Sequence, residues 1–82
     1  IEANRRRPFL LQVSHNAVHI PLSTSPELLK KYQAKKAAPG YPSRPEYAGL
    51  LEELDQSVGR IAAALDRLGL AENTLLIFTS DN

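Results

Sequence analysis

One stretch constrains the fold more than any other. Between Glu46 and Gly69, the apolar residues Tyr47, Leu50, Leu51, Leu54, Val58, Ile61, Leu65 and Leu68 recur at steps of three and four. That period places them on one face of a helix and requires something to cover that face. Glu46, Glu52, Glu53, Asp55, Arg60, Asp66 and Arg67 fall mostly elsewhere, and Gly69 stands where a helix C-terminus wants a left-handed residue. The spacing predicts a long helix over about 46–69. A heptad reading competes, but the stripe lasts only about three heptads and is followed at once by a different pattern.

The flanks carry apolar runs without helical period. Pro8-Phe9-Leu10-Leu11-Gln12-Val13-Ser14 is opened by a proline, and Thr74-Leu75-Leu76-Ile77-Phe78-Thr79 is rich in β-branched and aromatic residues. Both read as buried strands, over about 8–14 and 74–79, because a parallel strand covered on both faces loses the in/out alternation. Ser25-Pro26-Glu27 reads as a helix start, with a capping hydroxyl, a proline at the first turn and an acid near the positive end. This gives a short helix over about 26–37. Residues 15–24 form a loop, and Pro/Gly-rich 38–45 another. Strand, helices, strand is a βαβ-type unit, so the expected fold class is α/β with two parallel strands and a right-handed crossover.

Composition excludes several function classes. Ten Lys+Arg against nine Asp+Glu leave a net charge of +1, with no electrostatic footprint for nucleic acid or an anionic membrane. Arg5-Arg6-Arg7 reads as a solvated loop before the first apolar run. No apolar run approaches the length of a membrane span. With no cysteine there is no disulfide framework and no thiolate metal site. The chain contains no methionine and begins at Ile1, so it is expected to be a piece of something larger.

Two polar clusters follow the two apolar runs: His15-Asn16 with His19, and Ser80-Asp81-Asn82. If the runs are parallel strands, both clusters open on the same sheet edge, where α/β folds bind ligands. Asp81 and Asn82 bring a carboxylate and an amide oxygen together, which suits a hard cation such as Ca²⁺ or Mg²⁺, although Asp-Asn after a strand is more often an Asx turn than a metal ligand. Either histidine can move a proton near neutral pH or contact an anion, though the loop and Pro21 remove the helical metal-pair argument for their four-residue spacing. Gly40-Tyr41-Pro42-Ser43-Arg44 reads as loop, because position 40 has no side chain to act as a nucleophile.

The segments PFLLQVSHNAVHIPL and YAGLLEELDQSVGRIAAALDRLGLAENTLLIFTSDN resemble the sulfatase family. The first matches its apolar run followed by His-x-Pro. The second matches its Leu-Asp…Val-Gly-Arg…Gly-Leu…Thr-Ser-Asp-Asn stretch. The resemblance implies an internal fragment, 1–82, of an alkaline-phosphatase-like three-layer α/β/α catalytic domain with a mostly parallel sheet. It implies hydrolysis of sulfate esters on a small molecule or carbohydrate, using a formylglycine made from the Cys or Ser of a C/S-x-P-x-R motif, and a bound Ca²⁺ in preference to Mg²⁺. On these matches Asp81 and Asn82 fall on metal ligands, and His19 falls on the active-site histidine that contacts sulfate and protonates the leaving oxygen. His15 is a weaker candidate at the substrate rim, and Asp55 and Arg60 read as structural.

The chain has no C/S-x-P-x-R motif and no paired N-terminal aspartates, so it is expected to be inactive alone, with the formylglycine outside it. Compartment and oligomeric state stay open here, although the family implies a periplasmic, secreted or lysosomal setting. Two alternatives stand beside this reading. One is a two-zinc phosphodiesterase or phosphoryl transferase of the same superfamily, against which Asn82 in place of a histidine argues. The other is a non-catalytic pseudo-sulfatase or interaction module.

Overall fold

A computed structural model describes residues 1–80. Two helices dominate it: α1 spans Pro26–Ala34 and α2 spans Pro45–Arg67. Short 3-10 turns lie at Glu2–Asn4 and Ala71–Asn73. α1 packs against α2 to form a helical hairpin, and the segments before α1 and after α2 run irregularly around it.

Local chemistry explains each helix boundary. Ser25 is extended and its hydroxyl accepts from the Leu28 backbone N–H at 3.4 Å, while Pro26 occupies the first turn. The third helical position, Leu28, has no carboxylate with which to reach back to the Ser25 backbone N–H, as a capping box requires. Glu53 of α2 does this from outside the helix: its Oε1 accepts from the Ser25 N–H at 3.1 Å and from the Thr24 hydroxyl at 2.8 Å. The carboxylate thereby also sits at the positive end of the α1 dipole. α2 ends in a Schellman arrangement. Gly69 takes φ +67°, its N–H donates to Asp66 O at 3.0 Å, and Leu70 N–H donates to Leu65 O at 2.9 Å.

Glu52, one residue back, fastens the body of α1. It accepts from Lys31 Nζ at 2.6 Å and from the Tyr32 hydroxyl at 2.7 Å. The loop end just before α1 also approaches α2 closely at Gly49, which is buried; a Cβ there would lie 2.5 Å from Thr24 Oγ1. Apolar burial is thin. Leu65, 5% exposed, is the buried hydrophobic residue of the described chain, and the rest of the stripe is half-covered or open.

The expected α/β class is not what forms. Among the described residues there is no strand and no sheet, so 8–14 and 74–79 are not a parallel pair and the βαβ fragment of an α/β/α sandwich is absent. The reason lies in what an apolar run encodes. It signals a need for burial and a tolerance for extended backbone, whereas a strand also requires a hydrogen-bonded neighbour, and a lone two-stranded pair is marginal in water. These two segments do not provide that neighbour for each other. Val13 lies against the middle of α2 in a shallow depression with Ser57, Arg60, Ile61 and Ala64. Thr74–Ser80 instead leaves from the far end of α2, after the Ala71–Asn73 turn. Leu10 is left 96% exposed and Leu75 85% exposed.

Two expectations test this packing. Gly49→Ala should lower the stability of the hairpin by about 1–3 kcal/mol, the cost of overpacking against the short, hydrogen-bonded Thr24 side chain. Gly59→Ala, in the same helix with nothing within 4 Å of the new methyl, should raise it by about 0.5–1 kcal/mol. Urea titration followed by circular dichroism reads both, and equal effects of the two changes would refute the close approach.

The Glu52 cluster fixes a pH window. Hydrogen bonds from Lys31 and Tyr32 hold the Glu52 carboxyl below its ordinary range, so its contribution is present above the unfolded value of about 4.3 and is lost as pH falls through the lowered folded value. Hydrogen bonding to Glu52 raises Lys31 and Tyr32, so theirs are present below about 10 and are lost as pH rises through the raised values. Helicity of α1 should therefore be flat between these limits and fall on both sides. Glu52→Gln should flatten the acid limb, and an unchanged acid limb in that variant would contradict the assignment.

Candidate functional site

The loop between Ser14 and Thr24 carries both histidines, and the structure gives them different surroundings. A turn is closed by the His19 N–H donating to Asn16 O at 3.1 Å. The peptide bonds Ala17–Val18 and Ile20–Pro21 within this loop are cis. The far end of the loop is pinned at Thr24 and Ser25 by Glu53, and the near end by His15, whose Nε2 lies 2.8 Å from Ser57 Oγ on α2. The loop is thus fastened to one helix at both ends, by residues four positions apart on α2.

His19 is exposed, and its Nδ1 lies 2.8 Å from the backbone carbonyl of Ile20. A carbonyl oxygen only accepts, so this contact places a proton on Nδ1. The other ring nitrogen, Nε2, has no hydrogen-bond partner among the described residues and is open to solvent. When neutral it can accept a proton, and when the ring is cationic it can donate to an anion. His15, also exposed, has its Nε2 already engaged by Ser57 and is the less free of the two.

Asp81 and Asn82 lie outside the described residues. Of the residues singled out in the sequence, His15 and His19 lie on one described loop, each with its own partner. Among the described residues, no group of three or more His, Cys, Asp or Glu side chains is gathered closely enough to hold a metal ion. No described helix is long and apolar enough to cross a membrane.

Sequence reasoning missed Ser57, Glu52 and Glu53 as determinants of the loop. The Glu pair stands off the apolar stripe and looks like ordinary solvated helix surface. Its one distinguishing signal is position: Glu53 lies beside the stripe residues Leu50 and Leu54, on the flank that meets α1. Ser57 carries no signal, since an isolated serine on a helix is ordinarily solvated.

A helical hairpin that fastens a histidine-bearing loop at both ends does not by itself define a chemistry. Comparison with known proteins narrows it. The sulfatase family model matches residues 1–82, and the chain belongs to the sulfatase family. It is 42% identical over 85 residues to a steryl-sulfatase of Mus musculus, covering 100% of this chain and 12% of that protein. It is 39% identical over 83 residues to a sulfatase of Formosa agariphila, covering 92% of this chain and 15% of that protein. With an N-acetylgalactosamine-6-sulfatase of Rattus norvegicus the identity is 36% over 78 residues, covering 95% of this chain and 13% of that protein. The chain therefore spans well under a fifth of the length of these relatives. No solved structure matches it significantly.

The difference between the histidines is measurable. Ser57→Ala should shift the ring carbon and nitrogen resonances of His15 and leave those of His19 in place, because only His15 loses a partner. Unchanged His15 signals, or equal movement of both rings, would contradict the anchoring.

Proposed function

We propose that the longer protein containing this chain hydrolyses sulfate esters, and that this segment contributes His19 as proton donor and sulfate contact. The observation that carries the reading is the state of the His19 ring: Nδ1 is held on the Ile20 carbonyl, and Nε2 is presented to solvent. Cleavage of a sulfate ester places negative charge on the bridging oxygen, so a positioned donor there acts where charge develops. Pinning Nδ1 fixes which nitrogen faces that oxygen, and the Asn16–His19 turn fixes where it points. His15, engaged by Ser57, is assigned to the rim of the site.

Asp81 and Asn82 are proposed as two oxygen ligands of a Ca²⁺ ion. Their support is the chemistry of the pair, a carboxylate and an amide carbonyl of the kind hard cations take, together with membership of the family. When bound, such an ion would supply positive charge to the non-bridging sulfate oxygens. The nucleophile, a formylglycine, is proposed to lie elsewhere in the longer protein, since no cysteine is present in these 82 residues. The relatives are named for steryl and N-acetylgalactosamine 6-sulfates, which supports a sulfated small molecule or carbohydrate as substrate.

Turnover of an aryl sulfate by the longer protein tests the reading. Asp81→Ala should abolish it, His19→Ala should lower kcat by about 10²-fold or more, and His15→Ala should have a much smaller effect. Full activity in Asp81→Ala would overturn the ligand assignment, and a reversed ranking of the histidines would overturn the role given to His19.

A further inference from the structure

We infer that one face of α2, formed by Gly49, Glu53, Ser57 and Ile61, is the bed that aligns the histidine loop, and that Glu53 and Ser57 are positioning residues for His19. The inference rests on the proton-donor role proposed for His19 and adds which residues outside the loop set that role. The four positions follow one another at steps of four, so they share one face of the helix. Their contacts run in reverse order along the loop. Ile61 and Ser57 line the depression that holds Val13. Ser57 Oγ is 2.8 Å from His15 Nε2. Glu53 takes the Thr24 hydroxyl at 2.8 Å and the Ser25 N–H at 3.1 Å, and Gly49 leaves room for the Thr24 side chain. Residues 13–25 therefore run antiparallel to α2, along about 18 Å of its length.

Between the two polar footings the chain is much longer than the helix beneath it. The chain from His15 to Thr24 would extend to about 30 Å, whereas Glu53 and Ser57 stand about 6 Å apart along the helix axis. The loop must therefore arch, and His19 lies near the middle of the arch. The Asn16–His19 turn makes that middle a unit that moves with its feet. Freeing either foot lets the His19 ring shift relative to the ester oxygen it protonates. Proton transfer tolerates little of this, since a displacement of about 1 Å costs up to about 10²-fold in rate.

The two feet differ in strength. Ser57 holds through one hydroxyl, whereas a single carboxylate oxygen of Glu53 takes two donors at the other end. A charged acceptor makes the stronger hydrogen bonds, so loss of Glu53 releases more of the arch than loss of Ser57. Both act on His19 only through the loop, because their partners are Thr24, Ser25 and His15.

The test is a double-mutant cycle on aryl sulfate turnover by the longer protein. Glu53→Ala should lower kcat about 10-fold and Ser57→Ala about 5-fold, the scale of a displaced catalytic group. In the His19→Ala background each should change kcat by no more than about 2-fold, because there is no longer a ring to misplace. Glu53→Gln keeps the accepting oxygen and Ser57→Thr keeps the hydroxyl, so each should recover activity to within about 2-fold of the parent. Ser57→Ala deletes a single hydroxyl and carries the cycle where Glu53→Ala does not fold. Equal losses in both backgrounds would mean that the two residues only stabilise the protein, and would overturn the inference. Full activity in Glu53→Ala and Ser57→Ala, with His19→Ala impaired, would overturn it and leave the role of His19 standing. Full activity in His19→Ala would overturn that role and the inference with it.

Discussion

Two adjacent carboxylates on α2, Glu52 and Glu53, fasten α1 and the end of the histidine loop. Neighbouring helical positions point in different directions, so the pair reaches two targets. Glu53 takes Thr24 and the Ser25 backbone N–H at the start of α1, and Glu52 takes Lys31 and Tyr32 along its body. A nine-residue helix is too short to persist on its own propensity, and α1 therefore depends on this docking. The histidine loop depends on it in turn, because its far end is the cap of α1.

Apolar packing adds little to this arrangement. The stripe on α2 exceeds what α1 can cover, and Leu65 is its buried member, with Gly49 buried beside it. The ion pair of Arg67 with Glu2, 2.6 Å long but exposed on both sides, is of the kind that contributes little to stability. The hairpin is thus specified by a few directional contacts and one close approach, with a wide apolar surface left over.

The parts of the sequence that could be read are those in which the signal and the interaction lie within a few residues. Ser25-Pro26 and Gly69 announce helix ends because a cap is a local contact, and the Tyr47–Leu68 stripe announces a helix because its period is internal. The apolar runs at 8–14 and 74–79 misled because a strand is a statement about a partner, and neither run names one. His19 could be singled out through the residues around it, yet the contact that fixes its ring, an Nδ1 held by the next carbonyl, appears only in three dimensions. Glu53 was invisible for the same reason: it completes a capping box whose other half lies 28 residues earlier.

The dependence of α1 and the loop on the α2 carboxylates is tested most directly by amide hydrogen exchange on Glu53→Ala. Protection of the α1 amides should fall at least about 10-fold, with faster exchange at the His19 amide, while the centre of α2 between Leu54 and Ala64 keeps its protection. Unchanged protection of α1, or an equal loss across both helices, would contradict the view that Glu53 is the clasp by which a stable α2 organises the rest.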